Sequence, residues 1–244
     1  MVGYYSTPWH EEETNVWHCL DWQFHECYAE SNDLNKCCVE ASELTGFDIY
    51  YEYYPPFLHY GVKGASIVSG LPTSFWLAMA GAIAVMTLAL ILLVRSGLVS
   101  FVIFFSLIPG GLYLFFDRMP FTWVDGVACG SFPFIIAMAL FALLLFEWRN
   151  MRFGMLLGLF LLMAGVHNFG WILNCFLILS IAFAWFILRD SDLVHIVALI
   201  LSFVWIMVFA NSIYPNNSVR IVFIFFFLVS YQVGKYFEGV LELC

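Results

Sequence analysis

Residues 74–94 read SFWLAMAGAIAVMTLALILLV, a run that contains no charged side chain. An α-helix rises about 1.5 Å per residue, so it needs about 20 residues to cross the roughly 30 Å hydrocarbon core of a bilayer. Arg95, Ser96 and Gly97 end the run with a charge and a helix breaker. The stretch therefore predicts a transmembrane helix.

Six further apolar runs follow this one closely. They lie at 97–116, 126–148, 151–166, 170–188, 193–214 and 219–237. The connections between the runs are short, which places consecutive helices side by side and antiparallel. The fourth run is short and the seventh contains Tyr231 and Gln232, so six crossings plus one re-entrant or interfacial segment is the alternative.

The predicted fold class is an all-α membrane protein. A polytopic bundle of about seven transmembrane helices occupies 74–237, a small extramembrane head precedes it at 1–73, and a short tail follows at 238–244. The chain is 63% hydrophobic and 11% charged, with a mean hydropathy of +0.88, whereas a soluble domain is about 45–50% apolar and about 25% charged. The bilayer is therefore the expected solvent for most of the chain.

The head is strongly acidic. Residues 1–73 carry eleven acidic and two basic residues, and with them the whole formal net charge of −9. Nucleic acid and anionic lipid surfaces carry the same sign of charge, so both are disfavoured as partners of the head.

The basic residues predict an orientation. One side of the bundle collects Arg95, Arg149, Arg152, Arg189 and Lys235, and the other collects Arg118, Arg220, Lys36 and Lys63. The side with more Lys and Arg is expected to face the cytoplasm or its equivalent, which places the head outside and the C-terminus inside, in an organelle that the sequence does not specify. Asn216 begins an Asn-Asn-Ser acceptor for N-glycosylation on the predicted outer side.

Four of the seven cysteines lie in the head, at Cys19, Cys27, Cys37 and Cys38. In an oxidising compartment they would form one or two disulfides that stabilise a small domain, with three possible pairings. In a reducing compartment the same thiols and the neighbouring His18 and His25 could hold zinc, which prefers four nitrogen or sulfur ligands. Free structural thiols are the third possibility. The sequence favours disulfides, leaves a metal undecided and predicts no cofactor.

The tyrosine-rich stretch 47–60 reads FDIYYEYYPPFLHY and lies shortly before the first apolar run. Tyrosine favours the head-group zone of a bilayer, where its ring and its hydroxyl are both accommodated. The stretch therefore predicts an interfacial collar, and a partner-recognition surface is the alternative.

Ionisable residues lie at the ends of the predicted spans and not at their centres. Proton relays and ion pathways need such groups within the membrane, so an ion-coupled transporter and an intramembrane catalyst are disfavoured. Near the predicted outer face, Asp117, Asp125, His167 and Asn174 could converge to coordinate a metal or bind a polar ligand. The alternative is that each of them faces water or caps a helix.

Small residues predict helix packing. Gly154 and Gly158 form a G-x-x-x-G pattern in the fourth run, and Gly81 lies among alanines in the first. Small side chains let helix backbones approach closely in lipid. These faces are expected to pack within the bundle, against other membrane subunits or against a second copy of the chain.

Together these features predict a non-catalytic accessory or scaffolding subunit of a membrane assembly, with the head as its docking module. One alternative is a channel or facilitator for a neutral or apolar solute, which needs no charge in its path. Another is a seven-helix receptor that binds an extracellular ligand through the head. An enzyme is disfavoured, with His167, Asp117 and Asp125 as its only candidate residues.

Overall fold

The computed structural model describes residues 16–45, 54–107, 132–167, 169–190, 193–205 and 217–241. This part of the chain is helical, contains no strand and forms nine α-helices. They are α1 (Val16–Ser31), α2 (Leu34–Thr45), α3 (Phe57–Ser69), α4 (Thr73–Val102), α5 (Phe132–Glu147), α6 (Phe153–Val166), α7 (Phe169–Ala182), α8 (Val194–Trp205) and α9 (Asn217–Leu241). Single π-helical turns extend α4 (Ile103–Leu107) and α7 (Phe183–Ile187), and a 3₁₀ turn (Trp148–Asn150) follows α5.

The all-helical prediction is confirmed for the described residues. Among the described residues, three helical segments are long and apolar enough to cross a membrane: Thr73–Phe105, Pro133–Asn150 and Gly170–Ile187. Shorter apolar helices occupy Phe153–Val166 and Val194–Val204, within the predicted fourth and sixth runs. The last helix, α9, extends to Leu241, into the residues assigned from the sequence to a tail.

The predicted separation of the first and second apolar runs corresponds to a break inside α4. Gly97 has φ +73° and ψ −177°, so the helix is interrupted there although helical turns continue on both sides. A positive φ is accessible to glycine without the steric cost that a Cβ would add. The rest of the predicted second run, 108–116, lies outside the described residues.

The bundle is built around one face of α4. Leu77, Gly81, Ala84, Leu88 and Leu92 recur every three or four residues and are all buried. Most contacts of α4 are with α5 and α9, and Leu77 at the start of the stripe packs with α1 and α3. The helices α6 and α7 pack against α5, and α8 packs against α7 and α9. The regular spacing gives α4 one continuous buried stripe, as helical periodicity requires.

The contacts define two ends of the bundle. At one end, which we call the head end, the Phe57 ring lies against Gly165 near the end of α6, and Thr73 at the start of α4 donates a hydrogen bond of 3.0 Å to the Glu30 carboxylate of α1. At the other, the far end, the Arg95 guanidinium forms an ion pair with Glu147 at the end of α5. The first part of α4 therefore runs from the head end to the far end, and α6 ends at the head end.

Candidate functional site at the junction of head and bundle

The most polar buried region in the described part of the chain lies where α1 and α3 meet the end of α6. Each of these helices contributes one histidine: His25 from α1, His59 from α3 and His167 after the last turn of α6. Their side chains are 4%, 0% and 3% exposed. Together with Tyr28 and Tyr54, we call these residues the histidine cluster.

His25 and His59 are hydrogen-bonded to each other. His25 Nδ1 lies 3.0 Å from His59 Nε2, and the two rings are stacked with centroids 5.2 Å apart. One of the two nitrogens must carry the proton and donate it, while the other accepts, because a neutral imidazole has one donor and one acceptor. The pair therefore links α1 to α3 by a buried polar contact.

Tyr54 connects this pair to the bundle. Its ring centroid lies 5.3 Å from that of His25, 5.6 Å from that of His59 and 6.0 Å from that of His167, with T-shaped geometry each time. His167 in turn contacts the ring of Phe134 in the first turn of α5. Edge-to-face arrangements of this kind are favourable for aromatic rings, so a continuous set of ring contacts runs from the head to the bundle.

Tyr28 closes the other side of the cluster. Its ring lies 4.6 Å from the His59 ring, and its hydroxyl donates a hydrogen bond of 3.3 Å to the Tyr54 carbonyl oxygen. This hydrogen bond ties α1 to the segment that leads into α3. Both tyrosines are buried.

Burial sets the electrostatics of His59. Desolvation lowers the pKa of His59 from 6.5 to about 4, and the neighbouring backbone of Pro55 partly opposes this decrease. Desolvation acts in this direction because a charged imidazolium loses its hydration when it is buried. His59 is therefore neutral near pH 7 and serves as a hydrogen-bonding group within the buried histidine cluster.

The α1–α2 hairpin lies next to the histidine cluster. The sulfurs of Cys27 and Cys37 are at disulfide-bonding distance, with Cα atoms 5.6 Å apart. Cys38 is buried beside this pair, in an apolar group with Phe24 and Tyr54. Of the four cysteines predicted to form disulfides, Cys27 and Cys37 are therefore brought together. Cys19 lies on α1, but its side chain is outside what the structure describes.

The hairpin turn is also held by local hydrogen bonds. Asn32 adopts φ +54° between the helices, and the Asp33 carboxylate accepts a hydrogen bond of 3.0 Å from the Lys36 amide in the first turn of α2. Asparagine tolerates the left-handed region better than most residues, and an aspartate at this position satisfies an amide that has no helical partner.

The described residues contain no group of three or more His, Cys, Asp or Glu side chains that could hold a metal ion. The zinc alternative combines the head cysteines with His18 and His25. His25 hydrogen-bonds to His59 and the Cys27 and Cys37 sulfurs lie together, while the side chains of His18 and Cys19 lie outside what the structure describes. The arrangement is suited to holding the head against the bundle through hydrogen bonds and ring contacts.

The predicted outer polar site is described only in part. Asp117 and Asp125 lie outside the described residues, as does the predicted glycosylation site Asn216. His167 is buried within the histidine cluster. Asn174 is buried on α7, and its side-chain amide donates a hydrogen bond of 2.9 Å to the Phe160 carbonyl oxygen on α6.

The glycines that were predicted to pack differ in their surroundings. Gly81 is buried in the α4 stripe that faces the bundle. Gly154 and Gly158 are exposed on α6, and a Cβ added at either one would meet nothing within 4 Å. None of the described residues therefore covers the G-x-x-x-G face.

Of the three histidines, His25 and His167 are predicted site residues from the sequence, and His59 is not. The predicted interfacial collar over 47–60 does not include the helix that begins at Phe57. The sequence does mark both ends of this helix. Pro55 and Pro56 precede it and Gly70 follows it, and prolines and glycines commonly mark helix ends.

The chain matches no family model, and it shows no significant similarity to a curated protein or to a solved structure.

Proposed function

We propose that the chain is a non-catalytic, multi-pass membrane protein that serves as an accessory or scaffolding subunit of a membrane assembly. The seven predicted runs would cross the bilayer, with the head outside and the C-terminus on the cytoplasmic side or its equivalent. The head, held against the bundle, would act as the docking module for partners outside the membrane.

Exposed apolar side chains on several helices support membrane embedding. Met86 and Leu90 on α4, Phe153 on α6 and Phe186 in the turn after α7 are all exposed. Monomeric soluble proteins rarely expose contiguous apolar surface of this kind, whereas lipid tails would cover it.

The two ends of the bundle support the proposed topology. Arg95 and Glu147 meet at the far end, where the sequence predicts the cytoplasmic side. A Cβ on Gly97 would overlap the Glu238 carboxylate, so the end of α9 also lies there. The head and the last helix thus end at opposite ends of the bundle, as an odd number of crossings requires.

One observation carries the scaffolding role: within the described part of the chain, nothing packs on the G-x-x-x-G face of α6. Gly154 and Gly158 lie one helical turn apart, and the neighbouring Met155, Leu157 and Leu161 are also exposed. In lipid, a face of this kind lets another helix approach closely and gain van der Waals contacts. We therefore assign this face to contact with another membrane subunit or with a second copy of the chain.

The experiment compares the wild-type protein with the double variant Gly154→Leu/Gly158→Leu after solubilisation in mild detergent. Wild type is expected to elute in size-exclusion chromatography as an assembly, and the double variant as a smaller species, because leucine side chains would hold the partner helix away. Gly239→Leu is the control, since a Cβ at Gly239 also meets nothing within 4 Å. A wild-type protein that is a monodisperse monomer without a co-purifying partner contradicts the proposal.

A further inference from the structure

The helix α3 lies across the head end of the bundle. At its start, the Phe57 ring contacts Gly165 at the end of α6. At its end, the Ser69 hydroxyl accepts a hydrogen bond of 2.8 Å from the Trp76 indole in the first turn of α4. Its 13 residues span about 20 Å at about 1.5 Å per residue, so α3 runs from one bundle helix to another across this end.

A fixed corner separates α3 from α4. Gly70 adopts φ +72°, and its amide donates to the Ser66 carbonyl oxygen. The Ser66 hydroxyl donates a hydrogen bond of 2.6 Å to the Leu71 carbonyl oxygen, and Pro72 follows in an extended conformation. A left-handed glycine followed by a proline ends a helix and prevents its continuation, so α4 starts in a new direction.

The inner face of α3 is covered. His59 and Val62 are buried, and Val62 belongs to an apolar group with Ala29 of α1 and Leu77 of α4. The ammonium of Lys63, the only Lys or Arg on α3, donates a hydrogen bond of 2.8 Å to the Glu30 carbonyl oxygen. The head thus covers one side of α3 and binds its basic group.

The opposite face of α3 is apolar and exposed. Phe57, Tyr60, Ile67 and Val68 lie within an arc of about 100° on the helix, at about 100° per residue. Ile67 is 75% exposed and Val68 is 90% exposed. Two exposed glycines on the same face, Gly61 and Gly64, add no charge or bulk.

This exposed face continues onto α4. Leu71 at the corner and Phe75, Met79 and Ile83 on α4 are also exposed, and α4 belongs to the longest of the segments that are apolar enough to span a membrane. The apolar surface therefore passes from the transverse helix to the candidate span without a charged residue between them. Tyr60 and Trp76 are residue types that favour the head-group zone.

We infer that α3 is an interfacial helix that lies in the plane of the bilayer, with Phe57, Tyr60, Ile67 and Val68 inserted at the boundary between head groups and acyl chains. The occupant of this face is zwitterionic lipid, because the exposed face carries no basic residue that would select an anionic head group. This inference rests on the proposed membrane embedding of α4 and adds a second mode of membrane contact to it.

Site-specific photocross-linking tests the inference in the full chain. A photoreactive phenylalanine derivative is introduced at Val68, and the protein is reconstituted into phosphatidylcholine vesicles whose lipid carries a detectable tag. Leu90, exposed on α4, is the membrane control, and Asn35, exposed on α2, is the water-facing control. We expect lipid attachment at Val68 to be comparable with that at Leu90 and several-fold above that at Asn35.

The outcomes separate the two proposals. Lipid attachment at Leu90 with none at Val68 overturns the interfacial helix and leaves the membrane-embedded bundle in place. Attachment of Val68 to a second copy or another protein also overturns it, since the face is then a protein interface. If neither Val68 nor Leu90 attaches to lipid, membrane embedding of α4 is itself contradicted.

Discussion

His59 couples protonation to the junction of head and bundle. The His59 side chain on α3 is fully buried against His25 of α1 and Tyr54. Desolvation lowers its pKa from 6.5 to about 4. The unfolded chain therefore binds a proton at His59 at a higher pH than the folded chain does. The contribution of His59 to the free energy of unfolding is fully present above pH 6.5 and is lost as the pH falls towards 4.

We expect the free energy of unfolding of the head to fall by about 2 kcal/mol between pH 7.5 and pH 5, at about 1.4 kcal/mol per pKa unit. In His59→Gln, which keeps a hydrogen-bonding side chain but does not titrate, this dependence should flatten. Denaturation of the solubilised protein at several pH values measures how the free energy of unfolding depends on pH. Glu40→Gln on the exposed side of α2 is the control, and equal pH dependence in wild type and His59→Gln contradicts the role of His59.

Gly234 allows α9 to approach α4 closely. A Cβ at Gly234 would lie 2.8 Å from the Ser96 carbonyl oxygen and would overlap the Ser100 hydroxyl. That hydroxyl is within hydrogen-bond distance of two carbonyl oxygens, at 3.0 Å from Ser96 and 2.8 Å from Ser230. The two helices are thus joined by a polar contact that requires a glycine beside it.

Gly234→Ala is expected to lower the stability of the bundle by about 1–3 kcal/mol, as overpacking of a close contact typically does. Gly239→Ala lies on the exposed side of the same helix, where a Cβ meets nothing within 4 Å, so it should be neutral or stabilising by up to about 1 kcal/mol through helix propensity. Thermal unfolding in detergent compares the two variants. Equal unfolding midpoints for Gly234→Ala and Gly239→Ala would show that α9 does not approach α4 closely at Gly234.

The α1–α2 hairpin depends on its covalent link and on a small apolar group. Phe24 and Tyr28 from α1 and Cys38 and Ala41 from α2 are buried together. A cluster of this size supplies little hydrophobic stabilisation, and small domains are commonly stabilised by disulfides. The Cys27–Cys37 link is therefore expected to contribute a large share of the stability of the hairpin.

Cys27→Ser is expected to lower the free energy of unfolding of the head by about 2–3 kcal/mol, the loop-closure value for a link across roughly ten residues. Reductant should lower the unfolding midpoint of wild type but leave that of the variant unchanged. Cys175→Ser, at an exposed position on α7, serves as the control. If wild type behaves in the same way with and without reductant, the two cysteines are not linked in the native protein.

The apolar runs of the bundle could be predicted from the sequence because lipid-facing and core-facing side chains are both apolar. The break at Gly97 was visible as Arg-Ser-Gly between two runs, and the short fourth run corresponds to the 14 residues of α6. These features depend on local composition alone.

The docking of the head could not be predicted in the same way. His25, Tyr54 and His167 are far apart in sequence, and no local pattern shows that they meet. Although a turn signal marked both ends of α3, its exposed face becomes evident only when its packing against α1 is known. The sites proposed at Asp117, Asp125 and Asn216 stay predictions, because these residues lie outside the described part of the chain.

Extraction of cell membranes with alkaline carbonate tests most directly whether a bilayer surrounds the bundle. Alkaline carbonate releases peripheral proteins, whereas a chain whose apolar helices cross the bilayer stays in the membrane. The full-length protein is expected in the membrane pellet, from which only detergent should release it. Recovery of the protein in the carbonate supernatant, or as a soluble species without detergent, would contradict the membrane-embedded bundle.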